Sequence, residues 1–208
     1  VFDNVKEILS RGDVVIGNLE TTVDQDLGEI RDRTGKFKAT PDFIKKLKEV
    51  GFTHLGVVNN HMYDYGKEGF KNTVRVIQDH GMVPLHGMYQ DDTIDILSFT
   101  SHINGVGRLE IEEMKAKIVP SNNKKLGISF AHWGDQYNIE PTPEQKEIAE
   151  YLDRAGYKLV VGSGTHVYNQ TIIEGDSVIA YSLGDFLSDH QKDNTCLLYT
   201  SPSPRDDR

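Results

Sequence analysis

"VVNNHMYDYG", residues 57–66, is the stretch on which the reading of this chain turns. Two valines run straight into two asparagines and a histidine, with Asp64 and Gly66 close behind. An ordinary turn after a buried strand asks for glycine, proline or a small polar residue. Two amides and an imidazole are instead side chains that hold cations or move protons. The stretch therefore reads as the end of a strand, "THLGVV", followed by a helix from about Lys67 to Asp79 with Phe70, Val74 and Ile77 on one stripe.

The same alternation continues on both sides. "FDNVKEILSR" reads as a helix with Phe2, Val5, Ile8 and Leu9 on one face, and "DVVIGNL" as a buried strand. "TPDFIKKLKEVG" carries the marks of a helix, with Thr40 at the N-cap, Pro41 in the first turn and Gly51 at the stop. "TIDILSFT", "KLGISFAH" and "KLVVGSG" are further strands. "TPEQKEIAEYLDRAG" is a helix with a Thr142–Gln145 capping box and Ile148, Leu152 and Ala155 along its inner face. "QTIIEGDSVIAYSL" reads as a hairpin turning near Gly175-Asp176. Strands alternating with amphipathic helices imply an α/β protein whose parallel strands are buried between helices. Residues 21–39, polar and glycine-containing, are expected to form a surface loop.

Composition narrows the class. With 37% hydrophobic and 26% charged residues, 208 residues suit a globular domain with a sizeable core. No apolar run approaches the ~18–20 residues of a membrane span. The net charge of −9 argues against a protein held by nucleic-acid phosphates. Cys196 is the only cysteine, which excludes an internal disulfide framework and a cysteine-rich zinc site. Val1 stands where a methionine would open a gene, so a processed or truncated N-terminus is expected. Residues 1–190 are read as one domain. The last dozen residues, "LLYTSPSPRDDR", change composition abruptly, and Ser201-Pro202-Ser203-Pro204 cannot continue a strand; a non-native or disordered tail is expected over 191–208.

In open α/β sheets ligands collect beyond the carboxyl ends of the strands. Four strand ends here carry suitable groups: Asn18 and Glu20; Asn59, Asn60 and His61; His132 and Asp135; Gly164 and His166. Imidazole, carboxylate and amide oxygen together suit a divalent ion such as Mn, Fe or Zn. Each also has a plainer reading. His61 can be a turn histidine, and Asp64 either orients it or caps the helix that follows. His132 beside Trp133 can be a core histidine, and Glu20 a solvated carboxylate.

Taken together, "DVVIGNLETTV", "NNHMYDYGKEGF", "HWGDQY", "PTPEQKEIAEYLDRAG", "VVGSGTHVYNQ" and "IAYSLGDF" resemble the CapA family, also called PgsA or poly-γ-glutamate capsule synthesis proteins. That family belongs to the calcineurin-like metallophosphoesterases. The resemblance covers roughly residues 2–190. It implies a four-layer α-β-β-α sandwich with a metal cleft at the strand ends. It further implies Asn60, Glu20, His132 and His166 as metal ligands and His61 as a general acid; Asp64, three residues on, is taken as a catalytic candidate beside His61 from its spacing, with the capping reading left open. Three departures stand out: no strand ending in Gly-Asp opens the chain, Gly164-Thr165-His166 replaces a His-x-His pair, and Gln136 replaces a glutamate. At most one tightly bound divalent ion is therefore expected. The implied activity is metal-dependent hydrolysis of a cell-envelope polymer or a phosphoester, with membrane capsule-synthesis proteins as partners and no nucleic acid. The full-length protein would be anchored at the cell surface. The alternative is a non-catalytic module that binds a polyanion or a partner after losing a complete metal centre.

Overall fold

Residues 2–24, 35–122 and 124–187 are described by a computed structural model, so the expected tail from 191 to 208 lies outside the described residues. In chain order the elements are α1 (Asp3–Leu9), β1 (Ile16–Asn18), β2 (Thr22–Val23), β3 (Lys38–Ala39), α2 (Pro41–Val50), β4 (His54–Gly56), α3 (Gly66–Asp79) and β5 (Val83–Leu85). Then follow β6 (Met88–Gln90), β7 (Ile94–Thr100), β8 (His102–Ile103), β9 (Gly107–Arg108), α4 (Ile111–Lys117), β10 (Leu126–His132), α5 (Pro143–Arg154), β11 (Tyr157–Ser163), β12 (Thr171–Glu174) and β13 (Ser177–Ala180). The result is a mixed α/β fold with two principal sheets. It divides into two compact units: the described residues up to Gly87 with His102–Gly107, and Met88–Ser101 with the described residues from Arg108 onward.

The first unit is built on a three-stranded parallel sheet in the order β1-β4-β5. Its helices form where the sequence signals them. Thr40 accepts the Phe43 amide at 3.2 Å, Pro41 fixes the first turn, and Gly51 ends α2 at φ 122°, a conformation glycine adopts without Cβ strain. Ile44, Leu47 and Val50 form the buried face of α2, and Thr73, Val76 and Ile77 that of α3. In α1 the expectation for Ile8 fails: it is 66% exposed, because Val5 and Leu9, one turn apart, take the inner face and Ile8 falls on the flank. The surface-loop expectation for residues 21–39 also needs correction at its ends. Thr22–Val23 pairs in parallel with Lys38–Ala39, and Val23 is fully buried, its amide donating to Thr73 Oγ1 at 2.9 Å.

The second unit holds a six-stranded sheet in the order β12-β13-β11-β10-β7-β6. Its four central strands are parallel, and the short outer strands β6 and β12 run antiparallel to their neighbours. Every residue of β7 is buried, as is β10 after Leu126, which is how a strand covered on both faces reads in sequence. Thr142 accepts the Gln145 amide at 3.2 Å while the Gln145 side chain accepts the Thr142 amide at 3.0 Å, so the expected capping box opens α5. Ile148, Ala149 and Leu152 of α5 pack with Leu97, Phe99, Trp133, Tyr157 and Val160 in the core. Gly162 lets the neighbouring chain approach: a Cβ there would overlap the Tyr181 carbonyl, to which Trp133 Nε1 donates at 2.8 Å.

Candidate functional site

In the first unit the carboxyl ends of β1 and β4 bring Asn18, Glu20 and the Asn59-Asn60-His61 run together. The two asparagines do different work. Asn59 is wholly buried and spent on the backbone: its Nδ2 donates to the Leu19 carbonyl at 2.9 Å and to Asn18 Oδ1 at 3.2 Å, and its Oδ1 accepts the His61 amide at 3.1 Å. Asn60 is 7% exposed, and its Oδ1 is buried with no hydrogen-bond donor among the described residues. Burying an amide oxygen without a donor costs free energy, and native structures rarely do so without a use for the atom. The Asn60 main-chain oxygen accepts the Asn104 backbone amide at 3.0 Å.

His61 follows, 7% exposed. Its Nδ1 lies 2.7 Å from Asp64 Oδ2, and that same oxygen accepts the Phe37 amide at 2.8 Å. A carboxylate only accepts, so the proton of this pair sits on His61 Nδ1 and Nε2 is the nitrogen turned to other work. Glu20 Oε1 stands 3.9 Å from Nε2, while Glu20 Oε2 accepts from Asn18 Nδ2 at 3.3 Å. The Phe37 ring packs on the imidazole at a centroid distance of 4.2 Å, tilted by 38°, and the Asn104 side-chain Nδ2 lies 3.3 Å from Nδ1. The first unit thus gathers Glu20, His61 and Asp64, with Asn60 next in the chain. Of the two sequence readings for Asp64, the geometry favours the orienting one, since Asp64 makes no N-cap hydrogen bond to α3, whose N-cap is Tyr65.

In the second unit His132 ends β10 and is 6% exposed. Its Nδ1 lies 3.3 Å from Ser163 Oγ, whose own proton goes to the Ala131 carbonyl at 3.3 Å, so Nδ1 donates and Nε2 is the basic nitrogen. Gly164 has φ 107°, and a Cβ there would stand 2.9 Å from the Trp133 carbonyl oxygen and 3.1 Å from His132 Nε2. Position 164 therefore admits glycine and no imidazole without local rearrangement. His166 itself has φ 64°, uncommon for a residue with a Cβ, and its Nδ1 lies 3.0 Å from Asp185 Oδ1. Tyr137, the other non-glycine residue at positive φ among those described, packs against it with its ring tilted by 31° at 5.6 Å between centroids. Asp135 is half-exposed and pairs with Arg108, away from the imidazoles' hydrogen bonds.

No group of three or more His, Cys, Asp or Glu side chains placed to hold a metal is found among the described residues. Each unit taken by itself carries donor types that metals use: in the first, the Asn60 amide oxygen and the Glu20 carboxylate; in the second, the His132 and His166 imidazoles, whose Nδ1 atoms are tied to protein groups. Sequence reasoning passed over Phe37, Asn104 and Asp185. Asp185 sits in the quoted "IAYSLGDF" and was open to notice; Asn104 and Phe37 carry no signal before the chain is folded.

A profile of the family described as "Bacterial capsule synthesis protein PGA_cap" matches residues 1–107 and 97–190. The capsule biosynthesis protein CapA of Bacillus anthracis is 28% identical over 91% of this chain and 54% of its own length. The PGA biosynthesis protein CapA of Bacillus subtilis is 27% identical over 91% of this chain and 57% of its own. The chain thus spans about half the length of these curated relatives. A hypothetical protein from Thermus thermophilus, solved by crystallography, shares the fold at a TM-score of 0.56 and 15% identity, over 88% of this chain and 69% of that one. With the profile matching both units, the chain belongs to the bacterial capsule synthesis protein PGA_cap family.

Proposed function

We propose that this chain is the catalytic portion of a CapA-like protein of poly-γ-glutamate capsule synthesis, acting as a metal-dependent hydrolase on a cell-envelope polymer or a phosphoester. In this reading the two sheets belong to a four-layer metallophosphoesterase sandwich. The observation that carries it is the His61–Asp64 pair set beside the donor-less Asn60 Oδ1. Glu20, Asn60, His132 and His166 are the proposed metal donors. A divalent ion so bound would lower the pKa of a coordinated water and stabilise charge on the reacting oxygens.

The chain's own residues supply the rest. Asp64 holds His61 by Nδ1, which leaves Nε2 as the atom that gives a proton to the leaving group. The carboxylate also stabilises the imidazolium before transfer, as in other His–Asp pairs. Phe37 closes one face of the ring, and its amide fixes Asp64 from the other side. Lys36 and Lys38 flank Phe37, with both ammonium groups over the Tyr65 ring at 5.6 and 4.8 Å. Lys38 Nζ also lies 3.6 Å from Asp24 Oδ2, so part of this positive charge is already matched by a carboxylate.

The second reading is a module that binds polyanion or partner without turnover, and one observation favours it: Gly164 is sterically committed to glycine, so the second imidazole of a two-metal centre is absent. Placement at the cell surface and partnership with membrane capsule-synthesis proteins are part of the proposal. No helix among the described residues is long and apolar enough to cross a membrane. The test is hydrolysis of γ-linked polyglutamate and of a chromogenic phosphodiester in the presence of manganese, with His61→Ala as control. Turnover lost in that variant supports the hydrolase; saturable polymer binding without turnover supports the module.

A further inference from the structure

We infer that Asp185 is the positioning residue of His166: it fixes the imidazole as the Nδ1–H tautomer and aims Nε2 as the working nitrogen. This rests on reading His166 as a functional imidazole. Three features of the second unit converge on that ring. Its backbone is held at φ 64°, a left-handed conformation that strains a residue with a Cβ and persists only when its surroundings over-determine it. Its Nδ1 is 3.0 Å from Asp185 Oδ1, nineteen positions on, with both side chains largely buried at 11% and 16% exposure. The Tyr137 ring lies beside it, 5.6 Å between centroids and tilted by 31°, on a residue itself at φ 63° and joined to this turn by Tyr137 N–H donating to the Thr165 carbonyl at 2.7 Å.

Each of these constraints removes a freedom. The backbone fixes where Cβ points, Tyr137 packs against one side of the ring, and the carboxylate chooses between the nitrogens. Oxygen of an ionised carboxylate has lone pairs and no proton, so the short contact requires hydrogen on Nδ1. A histidine whose Nδ1–H is held by carboxylate presents a more basic Nε2, the arrangement that strengthens and orients imidazole ligands. Asp185 is held in place by its own turn, where the Gly184 amide donates to Ser182 Oγ at 3.2 Å and Leu183 bridges to Tyr168. The sequence alone offered no reason to couple residues 166 and 185.

The test reads the tautomer directly. Long-range ¹H–¹⁵N correlation spectra of the labelled chain at pH 8, where an ordinary imidazole is neutral, distinguish Nδ1–H from Nε2–H rings. The eight histidines are sorted by the cross-peaks lost in His166→Gln. Wild-type His166 should be the Nδ1–H form. Asp185→Ala should move it toward the Nε2–H form that solvated histidine prefers, while Asp185→Asn, which keeps an acceptor oxygen, should leave the tautomer in place. A wild-type His166 already in the Nε2–H form, which needs no variant to observe, overturns the inference, as does an unchanged tautomer in Asp185→Ala. Titration with zinc alone gives the second arm: Asp185→Ala should weaken binding about 10–100-fold and Asp185→Asn less. If zinc does not bind while the Nδ1–H signature follows Asp185, the metal reading fails and the positioning role stands.

Discussion

Replacing each of two neighbouring asparagines by alanine should have opposite consequences. Asn59→Ala removes the donor to the Leu19 carbonyl and the acceptor of the His61 amide from a fully buried position. Two main-chain groups are then left without partners, at roughly 2 kcal/mol each, so a loss of about 4 kcal/mol is expected. At ~3 °C per kcal/mol for a chain of this size, the melting temperature should fall by about 12 °C. Asn60→Ala removes an oxygen that has no donor, so the cost should stay within about 1 kcal/mol and ~3 °C. Manganese-dependent stabilisation should disappear in Asn60→Ala even though the fold persists. Urea denaturation and thermal melts with and without the metal read both quantities. Equal destabilisation by the two variants would refute the division of labour drawn from their hydrogen bonds.

Gly162→Ala places a methyl group into the Tyr181 carbonyl and should cost about 3 kcal/mol or more, measured by urea denaturation. Gly164→His should not restore a second metal site, because strained backbone and the Trp133 carbonyl oppose it; a calorimetric titration showing two tight ions in that variant would contradict this. Burial, and more weakly the Asp95 carboxylate, raise the Tyr157 phenol from 10.0 to about 12. Because the folded value lies above the unfolded one, stability should be full below pH 10 and decline as pH rises from 10 through 12, and Tyr157→Phe should flatten that alkaline limb. Thr142→Ala should cost about 1–2 kcal/mol through loss of the α5 cap.

Much of the architecture was legible because local chemistry and tertiary packing agree. Thr40-Pro41 and Gly51, or Thr142 and Gln145, announce helix ends whatever surrounds them, and β7 and β10 read as strands because both faces are buried. The strand β5 was hidden by Pro84 at its centre; it lies at the edge of its sheet, where a missing donor is tolerated. The two-residue strands β2 and β3 are too short for a period to show, and Ile8 escaped burial because a seven-residue helix has only one inner row. The residue types at 60 and 61 in the first unit, and at 132 and 166 in the second, suggest cation chemistry from the sequence alone, and that reading stands as the proposal above. That Asn59 serves the backbone and Asn60 does not is invisible in "NN", since it depends on Leu19 and Asn18, some forty positions away. The pairing of His166 with Asp185 is likewise a product of the fold.

The most direct test of the central claim is a calorimetric titration of the purified chain with manganese or zinc. Binding of one ion, lost in His132→Ala and retained in His80→Ala, whose imidazole caps α3 through the Val76 carbonyl at 2.8 Å, is the predicted result. A correctly folded chain that takes up no divalent ion, or one that binds equally well without His132, would contradict the account.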